Sequence, residues 1–254
     1  MTIIPLPAFE DNYIWLIVNP AIQSFICIDP GDARPVLNYA KQNQLSLTHL
    51  LITHHHEDHT GGINDLIRAF PKVDVIGPAD PRIPQIDTHL KDEDILHIDE
   101  LCFKILSIPG HTRTHIAYYE AKKAWLFCGD TLFSAGCGRV FDGTIEQLHQ
   151  AIQRLKQLPA NTQVYCAHEY TLQNLNFAAM VEPTNKDIQS YILDLKQRPN
   201  RCTLPSNIAL EKKINPFMRT QEPAVLRFAH AHGESSNDSL AIFKWLRDLK
   251  NKAK

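Results

Sequence analysis

Seven consecutive residues, Thr53-His54-His55-His56-Glu57-Asp58-His59, carry five side chains able to ligate a metal and one further carboxylate. Neutral imidazole and ionised carboxylate suit zinc, iron and manganese. The spacing His54, His56, Asp58, His59 offers two pairs of ligands from one short loop, which suits two ions side by side. Two such ions can make hydroxide from water at neutral pH and polarise a carbonyl. The chemistry to expect is metal-assisted hydrolysis.

Elements must deliver that loop and its missing partners. Leu47 to Thr53 is a continuous apolar run that ends in the cluster. Three further runs end in a candidate ligand: Leu106 to Gly110 before His111, Trp125 to Gly129 before Asp130, and Val164 to Ala167 before His168. In α/β folds ligands bind beyond the carboxyl ends of strands, so four such ends can meet in one crevice. Five histidines and two aspartates make seven ligands. That number gives each of two ions three of its own and one shared aspartate. Taken singly, His111 or His168 reads as a surface polar residue and Asp130 as a turn former; their joint occurrence points to a dinuclear centre.

The first two-thirds of the chain alternates short strands and helices. Tyr13–Val18 and Phe25–Ile28 read as adjacent strands, and Asp29-Pro30-Gly31-Asp32 as a turn. A helix is expected over 33–44. Another carries Ile63, Leu66, Ile67 and Phe70 at i, i+3, i+4, i+7. Residues 73–77, 102–108, 116–119, 125–128 and 163–166 are further strands, and a helix over 145–155 opens with the capping box Thr144-x-x-Gln147. After residue 169 the texture becomes helical, with one helix over 188–195 capped by Thr184, a short one over 208–214, a last one over 240–249, and no strand expected. The division expected is a catalytic segment 1–168 and a mainly helical segment 169–254, in an α/β fold.

Bulk properties exclude several classes. The chain has 254 residues, 44% hydrophobic and 21% charged, with a net charge of −2. No global basic field invites nucleic acid or an anionic membrane. No apolar run reaches the ~18 residues of a membrane span, and the N-terminus reads as a strand, not a signal peptide. The six cysteines form no CxxC pair, and Cys27, Cys102, Cys128 and Cys166 sit in apolar runs. Such usage fits a reducing cytoplasm. Cys137, in a glycine-rich loop, has no basic partner near it in sequence and makes a poor nucleophile candidate.

His54-x-His56-x-Asp58-His59 with distant His111, Asp130 and His168 resembles the metallo-β-lactamase superfamily. The resemblance implies an αββα sandwich, one ion on His54, His56 and His111, another on Asp58, His59 and His168, and Asp130 as the bridge. Longer segments resemble the glyoxalase II (hydroxyacylglutathione hydrolase) family: Asp11-Asn12-Tyr13, Gly136 to Thr144, Ala167 to Thr171, Asn215 to Arg219 and Leu246 to Lys250. This implies hydrolysis of S-(2-hydroxyacyl)glutathione, with S-D-lactoylglutathione giving D-lactate, the final step of methylglyoxal detoxification. It also implies that the helical segment 169–254 binds substrate, with glutathione contacts at Arg139, Tyr170, Arg247 and Lys250. Phe141 stands where some members carry tyrosine, so a hydroxyl contact is lost.

The residues themselves are compatible with that reading. Arg247 and Lys250 share a helix face, either as a solvated basic stripe with Lys254 or as cations for a substrate with two carboxylates. A thiolate leaving group, of pKa near ~8.5, departs without a strong acid. Asp58 and Asp130 hold the ions, zinc ahead of iron or manganese, and orient the nucleophile. Glu57 and His55 lie outside the ligand set. A monomer binding a small thioester is expected. The rivals are an RNA phosphodiesterase, disfavoured by charge; a periplasmic lactamase, disfavoured by the N-terminus; a di-iron redox protein, which lacks room for a flavin domain; and a zinc-stabilised scaffold.

Overall fold

The computed structural model describes residues 1–198 and 202–252; Lys254, the end of the expected basic stripe, lies outside them. The described chain forms two compact units, residues 1–107 with 114–129 and residues 108–113 with 130–254.

The first unit runs β1 (Thr2–Ala8), β2 (Asn12–Asn19), β3 (Ser24–Ile28), α1 (Ala33–Asn43), β4 (Ser46–Leu51), α2 (Glu57–Thr60), α3 (Ile63–Ala69), β5 (Asp74–Pro78) and β6 (Thr88–Leu90), then β7 (Ile95–Ile98), β8 (Leu101–Ser107), β9 (Ile116–Glu120) and β10 (Trp125–Gly129). β1 to β3 pair antiparallel and β3 to β6 parallel in sequence order. β7 to β10 form an antiparallel meander.

Side chains of a strand alternate between faces. Ile14, Leu16 and Val18 of β2 join Phe25, Cys27, Leu50 and Val75 on one face, where Val36 and Ala40 of α1 and Ile63 and Leu66 of α3 pack against them. Trp15, Ile17, Ile26 and Ile28 point the other way and are equally buried. A sheet apolar on both faces must be covered on both, which is why β2 and β3 read as near-continuous apolar runs. Tyr118 of β9 donates its hydroxyl to the carbonyls of Ile52 (2.7 Å) and Ile76 (3.1 Å), tying the meander to the ends of β4 and β5.

The second unit contains the hairpin β11 (Leu132–Phe133) and β12 (Gly136–Cys137), then α4 (Ile145–Lys156), β13 (Gln163–Cys166), α5 (Thr171–Val181), α6 (Lys186–Gln197), β14 (Ser206–Asn207), α7 (Ile208–Ile214), α8 (Pro223–Ala231) and α9 (Ser239–Lys252). The Thr144–Gln147 capping box forms as expected. Two expectations are corrected. Asn185, not Thr184, caps α6, because its side-chain oxygen reaches the amides of Asp187 and Ile188. The region after 169 does contain a strand: β14 pairs antiparallel with β13, Val164 opposite Ser206. Two residues are too few to show a period-two pattern.

No described helix is long and apolar enough to cross a membrane.

Candidate dinuclear metal centre

In the first unit, β4 ends at Leu51 and the buried pair Ile52-Thr53 leads to His54, which is fully buried. His56 is the extended residue just before the one-turn helix α2, and Asp58 and His59 project from consecutive positions of that turn. His54 Nε2 and His56 Nδ1 are 3.1 Å apart, and His59 Nε2 lies 3.4 Å from Asp58 Oδ2. The loop fits because Gly31 passes beneath it: a Cβ there would lie 2.0 Å from the Asp58 carbonyl oxygen.

Hydrogen bonds behind the loop fix the ring tautomers. Asp29 accepts from the Thr53 amide at 2.8 Å and from its hydroxyl at 2.7 Å. A hydroxyl has one proton, and a carboxylate only accepts. Thr53 Oγ1 must therefore accept from His54 Nδ1, 3.0 Å away. His59 Nδ1 donates to Asp29 at 3.0 Å by the same reasoning. Both rings thus present Nε2 as the lone-pair side, the arrangement that orients imidazole toward a metal. Asp29, His54 and His59 each offer a ligand atom within 4.8 Å of the others. His115, buried, stacks on His54 at 4.6 Å and 16°. Asn12 donates to Asp58 at 2.9 Å.

In the second unit, one oxygen of Asp130 lies 3.5 Å from His111 Nε2 and 3.3 Å from His168 Nε2. His111 donates its Nδ1 proton to the Arg139 carbonyl at 2.8 Å, so its Nε2 also carries the lone pair. Gly138 supports the group: a Cβ there would meet the Asp130 carbonyl at 2.0 Å and His111 Nδ1 at 3.0 Å. His168 stacks on Tyr170 (4.7 Å, 7°), and Phe133 meets both rings edge-on at 5.8 and 5.2 Å.

Each unit therefore gathers part of the expected ligand set, His54, His56, Asp58 and His59 in one and His111, Asp130 and His168 in the other. Imidazole lone pairs at a few ångströms from ionisable carboxylates are a donor set that fits divalent zinc, iron or manganese. Glu57 is exposed at the start of α2, and His55 faces Asp80, with Nδ1 3.8 Å from Oδ2.

The expected substrate residues fall in different settings. The Arg139 side chain is exposed while its carbonyl holds His111. Arg247 is 3% exposed and donates to the Cys137 carbonyl at 2.9 Å and to Asn251 at 3.2 Å, over the Phe217 ring. Its place on a helix face suggested solvent or substrate; the structure gives its guanidinium a loop to hold. Lys250 contacts Asn174 and lies over Phe177, and burial, reinforced by the neighbouring Arg247, brings its pKa down to about 7. Cys137 is buried, and burial pushes its thiol pKa up, which makes it a poor nucleophile. Phe141 is 65% exposed, its ring edge-on to His111 at 5.1 Å.

Sequence reasoning missed three supporting residues. Asp29 read only as a turn former, and its φ of 53° is the left-handed conformation that aspartate readily adopts in a turn. Thr53 and His115 carried no signal.

Two family descriptions match the chain, the metallo-β-lactamase superfamily over residues 14–168 and the hydroxyacylglutathione hydrolase C-terminus over residues 169–253. A hydroxyacylglutathione hydrolase of Legionella pneumophila (strain Corby) is 53% identical over 254 residues, covering 100% of both chains. Among solved structures, ETHE1 from Myxococcus xanthus shares the fold with a TM-score of 0.66 at 24% identity, over 98% of this chain and 99% of that one. TTHA1623 in a di-iron-bound form superposes with a TM-score of 0.60 at 22% identity, over 85% of this chain and 100% of its own.

Proposed function

Because the chain belongs to the hydroxyacylglutathione hydrolases, within the metallo-β-lactamase superfamily, we propose that its two ligand groups hold a pair of divalent ions that serve thioester hydrolysis. It is a thioester hydrolase of the glyoxalase II type. The substrate is S-(2-hydroxyacyl)glutathione, with S-D-lactoylglutathione giving glutathione and D-lactate as the final step of methylglyoxal detoxification. His54, His56 and His111 take one ion, Asp58, His59 and His168 the other, and Asp130 bridges. Zinc is the ion of choice, with iron or manganese as alternatives that availability decides. The single observation that carries this reading is Asp130, whose one oxygen stands within 3.5 Å of two imidazole nitrogens that point at it from different loops.

When bound, the ions supply nucleophilic water at neutral pH, by drawing its pKa from ~15.7 towards ~7, and positive charge for the carbonyl oxygen. The protein does the rest. Asp29 and Thr53 keep the protons of His54 and His59 on Nδ1, so the ligand nitrogens stay available. Asp58 and Asp130 would orient the attacking water by accepting a hydrogen bond from it. Tyr170 lies stacked on His168, so a peptide bound against Tyr170 stands next to that ligand. Arg139 and Lys250 supply positive charge for the glutathione carboxylates, while Arg247 holds the Cys137–Gly138 backbone that this contact needs. The thiolate leaves unaided, since its conjugate acid has a pKa near ~8.5. Residues 169–254 thus form the substrate-binding segment of a cytoplasmic monomer.

Thiol release from S-D-lactoylglutathione by metal-replete protein, with metal analysis of the same preparation, tests this. Two metals per chain and turnover that vanishes on chelation are expected. Metal-replete protein that releases no thiol would sink the reading.

A further inference from the structure

Neither ligand group uses Glu211, yet it is 0% exposed. Oε2 accepts from the Ala135 amide at 2.8 Å and from Asn215 Nδ2 at 2.9 Å, and Oε1 takes the Ser206 hydroxyl. Burial pushes its pKa up, and the donors from Ser206, Asn215 and Ala135 pull it back.

Ala135 is the turn of the β11–β12 hairpin, a two-stranded sheet of its own. Side chains on or directly after helices donate to its carbonyls, in place of a neighbouring strand. Asn215 Nδ2 reaches Phe133 O at 3.2 Å and Gly136 O at 2.9 Å. Asn174 donates to Ser134 O at 2.9 Å, and Arg247 to Cys137 O at 2.9 Å. Ala135 at the turn has a φ of 55°, a left-handed conformation that a non-glycine residue keeps only when its surroundings impose it. Glu211 supplies the acceptor for that residue's amide.

The hairpin adjoins the second ligand group. β11 starts two residues after Asp130, and Gly138, directly after β12, backs onto Asp130 and His111. Phe133 meets His168 and Tyr170 edge-on. We propose that Glu211 is a positioning residue for the reaction: by anchoring the Ala135 turn and Asn215, it sets the hairpin legs that hold Asp130 and His168 in ligating positions. This rests on the dinuclear reading above and adds to it a residue outside every motif that identified the site.

Metals retained per chain after exchange against a fixed chelator concentration, kcat/KM on lactoylglutathione and far-UV circular dichroism test it in the full chain. Glu211→Gln can aim its oxygen at Ala135 and Asn215 and its amide at the Ser206 oxygen, so it is expected to keep two metals and kcat/KM within about twofold. Glu211→Ala is expected to lose at least one metal and roughly 10- to 100-fold in kcat/KM with its helical spectrum intact, the loss typical of removing support behind metal ligands. Retention of both metals by Glu211→Ala, or equal damage in the Gln variant, overturns the proposal. If the Ala variant does not fold, Glu211→Asp, which keeps the carboxyl group but not the reach to Ala135, carries the same expectation; two metals and wild-type kcat/KM there overturn it. Wild-type protein that itself lacks two metals or releases no thiol overturns the underlying reading as well, so that control separates the two failures.

Discussion

Between residues 54 and 59 the chain carries four of the proposed ligands in six positions, whereas in the other unit the three proposed ligands come from residues 111, 130 and 168. The first group is placed locally, by a strand end and a single helical turn, while its ring tautomers depend on a distant residue, the buried carboxylate of Asp29. The second is shaped at a distance. His111 is held by the Arg139 carbonyl, Asp130 by the close passage of Gly138, and His168 by the rings of Tyr170 and Phe133. A contiguous motif keeps its geometry through backbone continuity, while a scattered one needs packing to supply what sequence proximity does not.

Removing the bridge is expected to have the largest effect. On the proposed partition Asp130 serves both ions and His54 only one. Asp130→Ala should therefore release both metals and lower kcat/KM by more than about a hundredfold, beyond the range of losses from supporting residues. His54→Ala should release one. Metal analysis of the two variants checks this, and two metals retained in Asp130→Ala would remove the distinction between the groups.

Asp29→Asn probes that long-range support of the contiguous group at somewhat smaller cost. The amide oxygen can still accept from the Thr53 amide, but the NH2 then faces His59 Nδ1 and the Thr53 hydroxyl. The His59 proton must move to Nε2, the ligand face. Metal affinity should fall roughly 10- to 100-fold by chelator competition. An unchanged affinity would mean that the carboxylate does not set the tautomer.

The same contrast explains what could be read from the sequence. The cluster at 54–59 and helices α3 and α4 were legible because their information is local, in spacing and in a capping box. The partnership of Asp29 with Thr53 and His59 spans 24 and 30 positions and leaves no local pattern. α5 was missed because polarity does not follow burial along it: Thr171 and Asn174 are buried while Leu172 and Met180 are exposed, so no polar stripe marks a period. α8 was missed behind Pro223, which opens it at a position where proline is tolerated. Arg247 and Lys250 were correctly placed on one helix, but a helix face does not say that Arg247 is spent on the Cys137 carbonyl.

Lys250 separates substrate contact from ligand support, with the smallest expected effect. Burial brings its pKa to about 7 in the fold, against ~10.4 for an ordinary lysine. Below about pH 7 the group is charged in both folded and unfolded chains, and the full cost of a buried ammonium is present. Between about 7 and ~10.4 the unfolded chain binds the extra proton, so stability rises with pH across that window. Lys250→Met should accordingly raise Tm most near pH 6, with the gain shrinking towards pH ~10. Wild-type KM for lactoylglutathione should rise as pH passes 7, because the neutral amine no longer attracts a glutathione carboxylate. The variant should show a higher KM that is flat over that range, with both metals retained. A Tm difference independent of pH, or an unaltered KM profile, would show that Lys250 neither titrates near neutrality nor meets the substrate.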